Sequence, residues 1–261
     1  MPKIHKFAEV SPKAEIADDV TIGSFSYIGD NVKIGKGTTI GTGVLIDGYV
    51  TIGENNQIFH HSIIGSPPQD FAYKGERSYL VIGNNNIIHE FATISPGTKP
   101  ESTTSIGDSC MIMIGVHVAH NVKLGNHVVL VNYTALGGYV EIGDGAFLSG
   151  FIGVHQFVKI GKLAMIGTLS KITQDFPPFM MGQDIPAKIY SLNSVGMQRA
   201  DFTPNLRSKI KKAYKILYHD KYNFSEALKV IQNDSELNSE KEIQNLINFI
   251  KNSKRGICQH H

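Results

Sequence analysis

A large aliphatic residue recurs at every sixth position through most of the first 172 residues. The series runs from Ile4 to Ile64, from Ile82 to Ile94 and from Ile106 to Ile172, with mainly polar residues and frequent glycines between its members. A period of six fits neither the 3.6-residue period of an amphipathic helix nor the two-residue period of a half-buried strand. It predicts a solenoid of triangular coils, in which each short face takes one hexapeptide and each aliphatic side chain stacks inward on its copy one coil away.

Two stretches interrupt this repeat. Residues 66–80 and 96–105 are polar and rich in turn-forming residues, which predicts two loops ejected from the solenoid. Long loops on a regular scaffold often carry functional residues. A solvated insertion without a function is the other interpretation of each loop.

The six-residue period ends at Ile172, and helical signals follow it. Thr203 stands before Pro204, as an N-cap residue stands before a proline at the first helical position. A second helix is predicted over residues 224–231. A capping box over residues 239–242 predicts the start of a third helix.

These patterns divide the chain into a parallel β-helix over residues 1–190, with its two ejected loops, and a C-terminal α-helical domain over residues 191–261. The helical part is rich in lysine. Such a run is typical of a solvated helix face, and it can also form a landing surface for an acidic partner. The lysines concerned are Lys209, Lys211, Lys212, Lys215 and Lys221.

The composition excludes several classes of protein. The net charge is only +2, whereas a domain that binds nucleic acid is usually strongly basic. No apolar run approaches the ~20 residues that span a bilayer, so no transmembrane segment is predicted. The N-terminus also lacks the apolar stretch of a secretory signal. Cys110 and Cys258 lie far apart and suit two free thiols in a reducing cytosol, so we expect a cytoplasmic protein.

Histidine is the residue that points most clearly to chemistry. The densest cluster contains His117 and His120 on either side of the inward Val118, and a second group contains His155 and Gln156. A neutral imidazole is the usual general base near pH 7. A zinc site is the alternative interpretation of these histidines, because three histidines bind zinc in the carbonic anhydrases that share a β-helix. The spacing here is HxxH rather than their HxxxxH, so we expect no metal. A hydrogen-bonded turn residue is a third reading of His120.

Several longer motifs resemble those of one enzyme family. They are HVAHNVKLGN at 117–126, NYTALGGYVEIGD at 132–144, VHQFVKIG at 154–161, QDFPPFMMGQ at 174–183, and the segment 192–218. Together with the hexapeptide column, they resemble the bacterial UDP-N-acetylglucosamine acyltransferases, the first enzymes of lipid A synthesis. The resemblance covers nearly the whole chain, and it implies that the β-helix is left-handed.

The resemblance implies a reaction and roles for individual residues. An acyltransferase of this kind moves a 3-hydroxyacyl chain from acyl carrier protein to the 3-position of UDP-N-acetylglucosamine by direct attack, without a cofactor. His120 matches the general base, and the backbone N–H of Gly138 matches the group that stabilises the oxyanion. Thr168 matches the position that measures the acyl chain. The positions that match substrate-binding residues are Gln69, Asp70, His117, His155, Gln156, Asn193 and Arg199.

The same resemblance implies an assembly and a partner. The family is a homotrimer with its sites between neighbouring β-helices, so we expect the same here. Acyl carrier protein is acidic, which suits the lysine-rich helices.

Four positions depart from the family pattern. Asn121 replaces an acidic residue after the general base, Tyr139 replaces a common histidine, Ala72 replaces a lysine of the loop, and Ala200 replaces a second basic residue. An asparagine can orient an imidazole but cannot stabilise its charged form. An amine needs less help than a hydroxyl from a charged dyad. The alternative function is therefore the same transfer to a 3-amino sugar nucleotide, which forms an amide.

Overall fold

The computed structural model describes residues 1–261. Short parallel strands wind into a left-handed β-helix with three sheets, which confirms the predicted fold class. The first sheet contains β1 (Lys3–Ile4), β4 (Thr21–Ile22), β7 (Thr39–Ile40), β10 (Gln57–Ile58), β13 (Ile87–Ile88), β16 (Met111–Ile112), β19 (Val129–Leu130), β22 (Phe147–Leu148) and β25 (Met165–Ile166), and then the hairpin strands β27 (Met180–Asp184) and β28 (Ala187–Leu192).

The other two sheets follow the same order of coils. The second contains β2 (Glu9–Val10), β5 (Tyr27–Ile28), β8 (Leu45–Ile46), β11 (Ile63–Ile64), β14 (Thr93–Ile94), β17 (His117–Val118), β20 (Ala135–Leu136), β23 (Gly153–Val154) and β26 (Lys171–Ile172). The third contains β3 (Glu15–Ile16), β6 (Val32–Ile34), β9 (Tyr49–Ile52), β12 (Tyr79–Ile82), β15 (Thr103–Ile106), β18 (Lys123–Leu124), β21 (Glu141–Ile142) and β24 (Lys159–Ile160).

The register of the strands repeats from coil to coil. Ile22 pairs with Ile40, and Ile40 pairs with Ile58, so a regular coil takes 18 residues. The inward aliphatic side chains are almost fully buried through the middle of the column. Each such burial stabilises the fold by about 1.5–3 kcal/mol. Ile4, on the first coil, is 43% exposed because no coil covers it on that side.

The corners of the β-helix place side chains where a regular strand could not. Asn121, Tyr139 and Phe157 follow one another at one corner, and each has a positive φ near 60°. A non-glycine residue in this region costs of order 1–3 kcal/mol, so the surroundings must enforce it. Here the amide of Tyr139 donates to the carbonyl of His120 at 3.0 Å, and the amide of Phe157 donates to the carbonyl of Gly138 at 3.0 Å.

Both ejected loops leave the β-helix at this same corner, between the second and third sheets. The first loop occupies residues 65–78 between β11 and β12, and the second occupies residues 95–102 between β14 and β15. The strands therefore resume at Tyr79 and Thr103, slightly before the predicted ends of the loops. Each insertion adds whole hexapeptides, which is why the six-residue phase continues beyond it.

Five helices and a returning tail follow the hairpin. The helices are α1 (Ser194–Arg199), α2 (Pro204–Tyr218), α3 (Phe224–Asn233), α4 (Ser235–Asn238) and α5 (Lys241–Lys251). The predicted N-cap is confirmed, because the Thr203 side chain accepts from the amide of Leu206. The predicted capping box at 239–242 is wrong: α5 begins after Glu240 with no side-chain cap, and the Ser239 hydroxyl bonds to Glu236 at the end of α4 instead. None of these helices is long and apolar enough to cross a membrane.

Candidate active site

A cleft of about 610 Å³ lies on the outer surface of the second sheet, beside the first ejected loop. Seven of the residues assigned to the site from the sequence line it. They are Gln69, Asp70, His117, His120, Gly138, His155 and Gln156. One chain therefore brings together the two histidine clusters and the loop.

The floor of the cleft is a row of outward side chains stacked one per coil. His117 pairs with Ala135, Ala135 with Gly153, and Gly153 with Lys171. The two small residues in the middle leave room for a ligand. An imidazole borders this space on one side and an ammonium on the other.

A second row, at the corner, explains the need for glycine at position 138. A Cβ on Gly138 would lie 2.3 Å from Cε1 of His120, which is too close for two carbon atoms that are not bonded to each other. The backbone N–H of Gly138 has no acceptor within the chain. The absent side chain thus lets His120 lie over a free amide donor.

His120 is held at its Nδ1 side. This nitrogen lies 3.1 Å from Oδ1 of Asn121 and 3.5 Å from the hydroxyl of Thr98. The backbone N–H of Thr98 donates to Asn121 Oδ1 at 3.1 Å, and because a backbone N–H can only donate, it fixes the orientation of the amide. Nδ1 of His120 must therefore carry a proton, and Nε2 of the neutral ring has a free lone pair.

Asp70 approaches that lone pair from the first loop. Its Oδ2 lies 3.3 Å from Nε2 of His120, and its Oδ1 accepts from the amide of Ala72 at 2.9 Å. Two acceptors repel each other in the neutral state of the ring. The contact becomes an ion pair once Nε2 takes a proton.

The two loops are fastened to each other, which holds Asp70 and Thr98 in place. The amide of Glu101 donates to the carbonyl of Arg77 at 2.8 Å, and the hydroxyl of Tyr79 donates to the Glu101 carboxylate at 2.8 Å. The Arg77 guanidinium lies 4.6 Å from the centre of the Tyr49 ring. These contacts connect the base of one loop to the base of the other.

His117 lies on the same coil as His120 and is partly buried. Burial lowers the pKa of His117 below its usual value near 6.5, and the nearby His120 lowers it further. Nδ1 of His117 lies 2.7 Å from the hydroxyl of Thr93. The ring is consequently neutral at pH 7, and it keeps its other nitrogen for a ligand.

Three predicted residues lie outside this cleft. Asn193 and Arg199 line a different cavity, of about 860 Å³, beside α1. The Asn193 side chain already caps α1, since its Oδ1 accepts from Gly196 and its Nδ2 donates to Leu163. Thr168 is exposed on the coil of Lys171. Within a single chain, these three residues therefore do not lie in the cleft that contains His120.

The two positions assigned a modulating role both contact His120. Asn121 binds its Nδ1, and the Tyr139 ring lies edge-on to the imidazole at 5.4 Å between centres. Sequence reasoning assigned no place in this cleft to two further residues, Thr98 and Lys171. Lys171 shares the outward phase of His117, so the repeat could have revealed it. Thr98 lies in a loop without a repeat phase and gave no such signal.

No group of three or more His, Cys, Asp or Glu side chains is arranged to hold a metal ion. The polar groups of the cleft include instead imidazoles, a backbone amide without an acceptor, a carboxylate and an ammonium. This set suits the transfer of an acyl group, in which a proton is removed and an oxyanion is stabilised.

A β-helix with such a cleft defines a transferase of the hexapeptide-repeat class. Residues 13–48 and 103–138 match the sequence profile of the bacterial transferase hexapeptide (six repeats). Residues 175–258 match the profile described as UDP-N-acetylglucosamine O-acyltransferase, domain 2. The two profiles cover parts of the β-helix and the helical region respectively.

Relatives along the whole chain narrow the class to one family. The acyl-[acyl-carrier-protein]–UDP-N-acetylglucosamine O-acyltransferase of Thermodesulfovibrio yellowstonii is 47% identical over 260 residues, which cover 99% of this chain and all of the relative. The enzyme of the same name from Thiobacillus denitrificans is 44% identical over 260 residues, with the same coverage. The solved UDP-N-acetylglucosamine acyltransferase of Francisella novicida has a TM-score of 0.93 and 39% identity, covering 98% of this chain and 94% of its own. The chain belongs to the UDP-N-acetylglucosamine O-acyltransferase family and is an acyltransferase, as the motifs predicted.

The packing of Gly138 against His120 gives a first test. Gly138→Ala should displace the His120 ring, because the new Cβ would overlap Cε1, and the ring resonances of His120 should shift in an NMR spectrum. Gly153→Ala is the matched control, since its Cβ would meet nothing within 4 Å. Equal effects of the two substitutions on the His120 resonances would contradict this account of the corner.

Proposed function

We propose that this protein transfers a 3-hydroxyacyl chain from acyl carrier protein to the 3-position of UDP-N-acetylglucosamine, the first step of lipid A biosynthesis. Family membership supports the reaction. The observation that carries the proposal for the site is the position of His120 Nε2, only 2.5 Å from where a Cβ of Gly138 would lie, beside a Gly138 N–H that has no acceptor within the chain. Both substrates of this reaction are cytoplasmic, so the protein acts in the cytoplasm.

The reaction needs one base and one oxyanion donor. Nε2 of His120 removes the proton from the 3-hydroxyl of the sugar as its oxygen attacks the thioester carbonyl. The N–H of Gly138 donates to the oxygen that becomes negative in the tetrahedral intermediate. The intermediate then breaks its C–S bond, and the imidazolium returns the proton to the departing thiolate.

Asp70 supplies the negative charge that position 121 lacks. Asn121 holds Nδ1 but has no charge, whereas the Asp70 carboxylate lies 3.3 Å from Nε2 and attracts it once it is protonated. In this way Asp70 stabilises the imidazolium formed during attack. The remaining cleft residues bind the sugar nucleotide, with Gln69, His117, His155 and Gln156 as hydrogen-bonding groups.

A homotrimer would complete the site. We propose that the cleft of one β-helix faces the cavity of a neighbour, so that the neighbour's copies of Asn193 and Arg199 contact the nucleotide. The division at residue 190 then separates two tasks, with chemistry on the β-helix and nucleotide and donor binding on the helical part. Thr168, at the edge of the sheet that carries the cleft, ends the groove for the acyl chain.

The helical part offers a basic surface to acyl carrier protein. Lys209 and Lys212 already form ion pairs with Glu240 and Asp234. The remaining three lysines are exposed and have no carboxylate partner in the chain, so they are the free cations for an acidic protein. They are Lys211, Lys215 and Lys221.

Transfer to a 3-amino sugar nucleotide is the second candidate. The neutral contact between Asn121 and His120 Nδ1 favours it, because an amine attacks a thioester with less help from a charged dyad. The Asp70 carboxylate at Nε2 favours the hydroxyl acceptor instead.

Removal of the base tests the mechanism. His120→Ala should lower kcat by about 10²- to 10⁴-fold, the usual contribution of a general base, while the chain still folds and assembles. Steady-state rates with acyl-acyl carrier protein measure the loss. His5→Ala, on the exposed first coil, should keep the parent rate. Activity of His120→Ala within tenfold of the parent would exclude this residue as the base.

A direct competition between the 3-hydroxy and the 3-amino sugar nucleotides tests which acceptor the protein prefers. Given both sugar nucleotides and mixed acyl donors, the protein should form mainly the ester, identified by mass spectrometry of the product. Asn121→Asp should raise the rate with the hydroxyl acceptor above that of the parent protein, because it adds a negative charge beside Nδ1 of His120. A clear preference for the amide product would replace the first candidate with the second.

Mixed trimers test whether two chains share each site. His120→Ala and Arg199→Ala chains should each be nearly inactive alone. In a trimer that contains both kinds of chain, one of the three sites combines a cleft that keeps His120 with a neighbour that keeps Arg199. Such mixed trimers should therefore have about a third of the parent activity. No recovery from well-mixed trimers would show that each chain forms its own site.

A further inference from the structure

The tail after α5 carries an arginine that reaches the end of the cleft. Nη2 of Arg255 lies 3.2 Å from Nδ1 of His155, which lines the cleft, and 3.4 Å from the carbonyl oxygen of Thr173. Arg255 has no carboxylate partner, and its Nε is buried without a hydrogen bond. Within the chain, Nη2 therefore contacts only His155 and one carbonyl.

His155 Nδ1 has a second possible partner. The carbonyl oxygen of Gln156 lies 3.1 Å from the same nitrogen. A protonated Nδ1 would donate to Gln156, and an unprotonated Nδ1 would accept from Arg255. The guanidinium has only donors and keeps its proton at any ordinary pH. A proton on Nδ1 would set two donors against each other at 3.2 Å, so the arginine selects the lone pair.

Hydrogen bonds hold the tail on both sides of Arg255, which fixes the backbone from which Arg255 reaches His155. Asp175 is 1% exposed, and its carboxylate accepts from the amide of Lys159 at 2.7 Å and from the hydroxyl of Ser253 at 2.6 Å. Its own amide donates to the carbonyl of Gly256 at 2.8 Å. These bonds fix the backbone two residues before Arg255 and one residue after it.

We propose that Arg255 is a positioning residue that holds His155 in the Nε2–H form. Nε2 has no partner within the chain, and in this form it presents a donor to the cleft. A donor suits an anionic group such as the diphosphate of a nucleotide sugar, whereas the other tautomer would present a lone pair and repel it. The identity of that ligand rests on the proposed function, but the tautomer does not.

Nuclear magnetic resonance of ¹⁵N-histidine-labelled, unliganded protein tests the tautomer directly. The ring nitrogens of His155 should show the proton on Nε2 in the parent protein. In Arg255→Ala the proton should move largely to Nδ1, because the Gln156 carbonyl becomes the remaining partner. Ser253→Ala removes one fastening of the tail but not the guanidinium, so it should keep the parent tautomer.

Kinetics test the consequence. Arg255→Ala should raise KM for the UDP-sugar by about tenfold and change kcat by less than about twofold, as expected for lost binding without lost chemistry. A parent protein with the proton on Nδ1 would overturn the inference, even if the variant fails to fold. A changed tautomer with an unchanged KM would overturn the binding role. If UDP-N-acetylglucosamine is not the acceptor, mass spectrometry will not find its acylated product in the acceptor competition described above. The tautomer of His155 is measured without substrate, so that result does not depend on the acceptor.

Discussion

The register between coils is the constraint on which the rest of the structure depends. Each inward aliphatic side chain stacks on its copy one coil away, and a shift of a single residue would turn the whole column outward. The same register aligns the outward positions into rows. The row from His117 to Lys171 and the corner row of His120, Gly138 and Gln156 are therefore consequences of core packing. The cleft exists where small residues interrupt those rows.

Within the cleft, hydrogen-bond direction decides what each imidazole can do. The amide of Thr98 can only donate, and through Asn121 it leaves His120 with a lone pair on Nε2. Arg255 can only donate as well, and it leaves His155 with a proton on Nε2. One ring is thus prepared to take a proton and the other to give a hydrogen bond. The two states come from the fixed groups on the Nδ1 side, an acceptor at His120 and a donor at His155, rather than from the histidines themselves.

The sequence predicted those parts of the structure that follow the repeat. Its period predicted the sheets, the inward column and the places of His117 and His120 on either side of the inward Val118, and a resemblance to known motifs suggested the role of Gly138. It could not predict contacts made by segments without a repeat phase. Asp70 and Thr98 meet His120 only because two loops leave at one corner, and Arg255 reaches His155 only because the tail folds back. The dual use of Asn193, which caps α1, is likewise a property of the folded chain.

The structure changes the interpretation of the sequence most in the position of the negative charge beside His120. Asn121 suggested a base without a charged partner, which favoured an amine as the acceptor. The first loop, however, brings the Asp70 carboxylate to the opposite nitrogen of the same ring. A carboxylate there attracts the ring once Nε2 carries a proton. The asparagine at position 121 therefore does not leave the His120 ring without a carboxylate beside it: the carboxylate comes from the first loop and not from the corner residue that follows the histidine.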